Sequence, residues 1–95
     1  MIRRIVKMSF QEDQIEQFIQ NFENNKNSIR QFDGCHHLEL WRDKNEENVF
    51  FTYSHWDDED ALNKYRNSEL FEGIWSTTKK MFNAKPLAWS VEIIG

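Results

Sequence analysis

Three imidazoles crowd two short runs of this chain. His36 and His37 lie in residues 35–42 and His55 in residues 49–56, and both runs alternate like strands around the polar segment 43–48. A free imidazole titrates near ~6.5, so it can accept a proton at neutral pH. Closing the two strands as a hairpin with its loop at 43–48 sets Arg42 opposite Val49. His36 then faces His55, Leu38 faces Tyr53 and Leu40 faces Phe51. One sheet face carries His36, Tyr53 and His55; the other carries His37, Glu39 and Trp41. Either set is a general-base arrangement, the second with a carboxylate orienting the imidazole. The candidate catalytic residues are His37, His55 and Tyr53, with His36 and Trp41 as substrate contacts. The same side chains serve equally as hydrogen-bonded strand residues at an interface, and a one-residue slip would exchange the faces.

Other chemistries find less support. Neighbouring strand residues point to opposite faces, so only two histidines can converge, short of the three or four protein ligands zinc takes. Cys35 is the single cysteine and has neither a CxxC partner nor an activating neighbour, which leaves a small buried thiol. The 12 basic and 16 acidic side chains give a net charge of −4. The only basic cluster, Arg3-Arg4 with Lys7, sits inside a strand pattern, so the chain lacks the basic face that nucleic acid needs. No apolar run approaches the ~18 residues that span a bilayer, and no secretory leader pattern opens the chain. These features point to the cytoplasm.

The elements that must position these residues follow from periodicity. Residues 2–10 alternate as a strand, with Ile2, Val6, Met8 and Phe10 on one parity. Residues 11–32 place Ile15, Phe18, Ile19, Phe22, Ile29 and Phe32 at helical spacing, with Gly34 as a stop. After the hairpin, Asp57-Asp58-Glu59-Asp60 suits a helix start, since acidic groups satisfy free N–H groups there. A short helix runs to Tyr65. A second begins near Ser68-Glu69 and carries Phe71, Trp75 and Phe82 on one stripe, more often core than cavity wall. Pro86 ends the helical region, and residues 87–94 form the last strand. The 95 residues thus form one domain of order β-α-β-β-α-β, the ferredoxin-like α+β pattern. A four-stranded antiparallel sheet carries the helices on one face.

The strand composition adds a second expectation. A sheet wet on one side alternates apolar with polar residues. Here Phe50 and Trp56 oppose Val49, Phe51 and Tyr53 in parity, and Leu38 and Leu40 oppose Trp41. Eight Phe, four Trp and two Tyr are more than one pair of helices can cover. A second copy of the chain is the simplest cover, so a homodimer is expected.

Three stretches carry a family resemblance: Phe32-Asp33-Gly34-Cys35, residues 48–56 ending in His55-Trp56, and Ala61-Leu62 followed by residues 65–71. Together they resemble the antibiotic biosynthesis monooxygenase-like family of dimeric α+β barrels over nearly the whole chain. The resemblance implies oxidation of a small phenolic or quinol-like aromatic by O2 with no cofactor. It leaves open a non-catalytic dimeric module that binds a small ligand or serves as a scaffold. It also implies a cavity near Tyr65, with Phe71 and Trp75 as lining and substrate contacts, and Arg66 and Asn67 placed to steady an anionic oxygen or simply exposed. In the haem-degrading branch of the family an Asn, a Trp and a His do the work. Aligned here, those roles fall at Val6, Tyr65 and Trp75, and their absence argues against haem. An enzyme of this kind predicts a pocket of at least ~300 Å³ between sheet and helices with an imidazole inside it.

Overall fold

The computed structural model describes residues 1–95. Alternation in the first segment gives strand β1, Ile2–Ser9, whose even residues face the helices. A 3-10 turn at Glu12–Gln14 leads into helix α1, Ile15–Arg30. The hairpin is strand β2, Cys35–Arg42, and strand β3, Val49–Trp56. Helix α2, Glu59–Arg66, and helix α3, Glu69–Thr78, follow, and a 3-10 turn at Lys79–Met81 leads to strand β4, Leu87–Val91. The last strand stops three residues before the expected end. The sheet is antiparallel in the order β2-β3-β1-β4, the ferredoxin-like α+β arrangement read from the sequence.

Local chemistry sets the ends of the short helices. Of the four acidic residues 57–60, Asp58 is the N-cap of α2, accepting the Ala61 N–H at 2.8 Å. Ser68 caps α3 by accepting the Phe71 N–H at 3.1 Å. Each cap satisfies a backbone donor that the helix geometry leaves without a partner. α1 ends with Arg30 and a Gln31 cap, and Gly34 turns the chain four residues beyond the helix with φ +88°.

The hairpin register differs from the sequence expectation by one residue. Asp43 still belongs to the ladder: its N–H donates to the Val49 carbonyl at 2.8 Å. Its carboxylate accepts the N–H groups of Asn45 and Glu46, so the turn tightens after residue 43. Arg42 therefore pairs with Phe50, His37 with His55, Glu39 with Tyr53 and Trp41 with Phe51. The shifted register pairs His37 with His55 in place of the expected His36–His55, and a bulge between Cys35 and His37 leaves His36 outside the ladder.

The interior is split. Met8, Phe10, Ile15, Phe18, Phe50 and Met81 form one buried cluster at one end of the helix–sheet layer. Ile29, Leu38, Trp56, Leu62 and Tyr65 form a second. Both clusters contribute to the wall of the same internal cavity.

Candidate functional site

The cavity has a volume of about 550 Å³ and lies between the sheet and the three helices. Even-numbered strand residues form its floor: Arg4, Val6 and Met8 of β1, Thr52, Ser54 and Trp56 of β3. The helices supply the opposite wall, with Phe22 and Ile29 from α1, Tyr65 from α2, and Phe71, Ile74 and Trp75 from α3. Tyr65 stacks on Trp56 at 4.9 Å between centroids, and Phe71 stacks on Trp75 at 5.7 Å. Ser54 accepts the Trp56 indole N–H at 3.0 Å, which fixes that ring. Such a wall of flat apolar surfaces with a few polar groups suits a planar aromatic ligand.

The ionisable groups around this cavity are unevenly distributed. No Asp, Glu, Lys or His lines it; its charged side chains are Arg4 and Arg66. Burial pushes the Tyr65 phenol well above its ordinary range, so it stays protonated and keeps an O–H able to donate. The pocket expected from the sequence is present in size. The imidazole expected inside it is not there.

The site candidates read from the sequence therefore divide between the two faces of the sheet. Tyr65, Phe71 and Trp75 line the cavity, as do Arg66 and Asn67. Phe82 lies beyond α3 and does not line the cavity; it packs on Phe10 at 5.3 Å and meets Trp75 edge-on at 5.5 Å. His37, Trp41, Tyr53 and His55 gather on the far side. There the His37 and His55 rings lie 4.8 Å apart, Tyr53 meets His55 edge-on at 5.0 Å, and Trp41 stacks on Tyr53 at 4.6 Å. Arg3 Nε donates to the Tyr53 hydroxyl at 3.0 Å. Glu39 accepts from the Trp41 indole at 2.7 Å and pairs with His37, and these contacts hold its carboxyl below the usual carboxylate range. His36, turned out by the bulge, pairs with Asp57 across the mouth of the hairpin.

His55 is the most constrained member of the far-side group. Its Nε2 is buried and has no hydrogen-bond partner. Burial, then the charges of Arg3 and His37, push its pKa below the ordinary 6.5, with Glu39 opposing them and His36 adding a small push the same way. The unfolded chain then binds a proton that the folded one resists, so stability is complete above pH 6.5 and erodes as pH falls below it. Thermal melts of wild type and His55→Gln across that range should diverge, the variant losing less stability on acidification. Parallel curves would remove His55 as the cause.

Arg4, Asn21, Asn25, Asn63 and Thr52 belong to the cavity but were not singled out from sequence. Arg4 carried a signal, since it shares the parity of the apolar Val6 and Met8 on β1. Asn21 and Asn25 carried a weaker one: they are spaced i, i+4 on α1, so both lie on one face.

A four-stranded antiparallel sheet with its helices on one face over an aromatic-lined cavity defines an α+β protein of ferredoxin-like class. The family model for antibiotic biosynthesis monooxygenases matches residues 1–74, so the chain belongs to that family. No functionally curated protein matches it. Among solved structures, one described as an antibiotic biosynthesis monooxygenase superposes with a TM-score of 0.93 at 16% identity, covering 100% of both chains. A conserved protein from Methanosarcina mazei gives 0.90 at 14% identity over 95% of this chain and 89% of its own. Rv0793 from Mycobacterium tuberculosis gives 0.89 at 12% identity over 99% and 95%. At these identities the likeness is one of fold. Val6, Tyr65 and Trp75 all meet in the cavity and present aliphatic, phenolic and indole groups to it.

Proposed function

We propose that this protein is a cofactor-independent monooxygenase that oxidises a small phenolic or quinol-like aromatic with O2 in the helix-side cavity, working as a homodimer. The observation that carries the reading is the 550 Å³ space walled by Tyr65, Phe71, Trp75 and Trp56. Its shape and lining fit a flat ring system. The chemistry needs an electron-rich substrate anion and a dry enclosure. In the balanced reaction a ring CH2 of the substrate's keto tautomer becomes C=O: one oxygen atom of O2 enters the substrate, and the other leaves as water with the two hydrogens removed. Tyr65, held protonated, donates to a substrate oxygen, and Arg66 and Asn67 steady the anion that forms. His37, His55 and Tyr53, on the far face of the sheet, belong to the pairing surface rather than to this cavity.

Support for the pairing comes from that far face. Trp41 and Trp89 are 40% and 45% exposed there, beside Val91 at 40%. The isolated chain buries only 14 of its 95 residues, fewer than so aromatic a sequence would hide in a finished assembly.

Oxygen uptake on a panel of hydroquinones and anthrones tests the activity. Turnover on at least one, falling ten-fold or more in Trp75→Ala and unchanged in the surface variant Glu47→Gln, is the expected result. Binding without uptake across the panel would instead leave a non-catalytic ligand-binding module. Sedimentation at micromolar concentration tests the pairing, with a species of twice 11.6 kDa expected. A lone 11.6 kDa species would end it.

A further inference from the structure

The charge on the cavity wall runs against the charge of the chain. The protein carries a net −4, yet the charged side chains lining the cavity are two arginines and nothing acidic. Neither is neutralised. Ion pairs elsewhere join Lys26 to Glu23, His36 to Asp57, His37 to Glu39 and Lys64 to Asp33, and none involves Arg4 or Arg66. Arg4 Nη1 donates to Ser90 Oγ at 3.0 Å, a neutral partner that leaves its charge uncompensated. Glu59, at the start of α2, acts on Arg4 only from beyond ion-pair reach and does not line the cavity.

The two elements that deliver these arginines converge from opposite sides. Arg4 rises from the sheet floor on β1, on the parity of Val6 and Met8, and Arg66 closes the last turn of α2. Burial lowers the Arg4 pKa, and the like charge of Arg66 lowers it further, so the two guanidiniums repel each other across the space. Arg4 is half-buried on a core-facing strand position and Arg66 is exposed, and an anion between them would offset their mutual repulsion. Guanidinium groups hold planar oxyanions by paired N–H donors.

We propose that the ligand of this cavity is an aromatic carboxylate, its ring system lying among Trp56, Tyr65, Phe71 and Trp75 and its carboxylate held between Arg4 and Arg66. The inference rests on the reading of the cavity as the ligand site and adds the class of molecule that enters it. A simple phenol is neutral at pH 7, with a pKa near ~10, and would leave both guanidiniums uncompensated. A carboxylate arrives charged. The substrate class becomes a phenolic or quinol-like aromatic acid.

The test uses a matched pair of probes, 2-naphthoate and 2-naphthamide, followed by fluorescence of the tryptophans, since Trp56 and Trp75 line the cavity. The carboxylate should bind at least ten-fold more tightly than the amide, and its advantage should shrink with added salt. Arg4→Gln and Arg66→Gln should each remove most of that preference while leaving amide affinity within two-fold. Arg4→Lys should keep part of it, which guards against a folding defect in the Gln variant. Equal binding of the two probes overturns the anion site and leaves the cavity reading intact. A preference that survives both Gln variants overturns it as well. Failure of both probes to perturb either tryptophan overturns the cavity reading and this inference together.

Discussion

Phe10→Ala is expected to destabilise the fold by about 3–5 kcal/mol, the range for deleting a fully buried aromatic ring. Phe10 is 0% exposed and sits where β1 ends. Its ring stacks on Phe18 at 4.1 Å and meets Phe82 at 5.3 Å and Phe50 at 5.8 Å, so one truncation strips partners from α1, β3 and the segment after α3 at once. Relaxation is restricted because the Phe10 backbone is pinned on both sides: its N–H donates to the Asn48 carbonyl at 3.0 Å and its carbonyl accepts from Asn48 Nδ2. The cavity left behind cannot collapse without moving the hairpin loop. For a chain of this length the loss corresponds to a fall in melting temperature of roughly 15 °C or more. A drop of only a few degrees in a two-state melt would mean that the surrounding rings repack. Phe82→Ala is the milder comparison, because Phe82 is only half-buried.

The element order was legible because each segment has a strong period. Residues 15–30 keep apolar groups at helical spacing, whereas the hairpin strands are short, rich in aromatic side chains and joined by a polar turn, so neither could be mistaken for the other. The register was not. It turned on Asp43, whose side chain bonds two backbone N–H groups of the turn while its own N–H stays in the ladder, a choice composition does not announce. One residue of slip moved Tyr53 and His55 from sharing a face with His36 to sharing one with His37 and Trp41. Because side chains alternate with period two, that small change reorganised the whole proposed cluster.

The candidate site was legible in part for a related reason. Phe71 and Trp75 share an amphipathic stripe that by itself reads more readily as core than as cavity wall, and Tyr65 comes from the family resemblance; all three line the cavity. The histidines drew attention by chemistry alone, and chemistry says nothing about which sheet face a residue takes. Arg4 gives little sign of its role in the sequence because it stands beside Arg3, like one half of a basic pair. On a strand those neighbours part company: Arg3 goes to the far face and holds Tyr53, while Arg4 goes to the cavity. Parity, applied to the charged residues as strictly as to the apolar ones, separates the two roles.

Gly34→Ala is expected to cost about 2–5 kcal/mol, and its two causes can be measured apart. The residue lies at φ +88°, a conformation that L side chains rarely adopt. A Cβ there would also stand 2.6 Å from the Ala61 Cβ in the first turn of α2, closer than two carbons can rest. Gly34 further accepts the Asp57 N–H through its carbonyl at 2.9 Å, so this turn is tied to the chain that enters α2. Pushing α2 away would carry Tyr65 and Arg66 with it, and so would widen the cavity they line. Ala61→Gly removes the steric partner and leaves the dihedral strain. In that background the cost of Gly34→Ala should fall by roughly 1–3 kcal/mol, the usual penalty for overpacking. The Ala61→Gly change itself costs about 1 kcal/mol through helix propensity, which the double-mutant cycle subtracts. If the two substitutions are additive, the contact at Ala61 is not what excludes a side chain at residue 34, and backbone conformation alone accounts for the glycine. A coupling of the expected size shows instead that the close approach of the turn after α1 to α2 sets the position of the cavity's α2 wall.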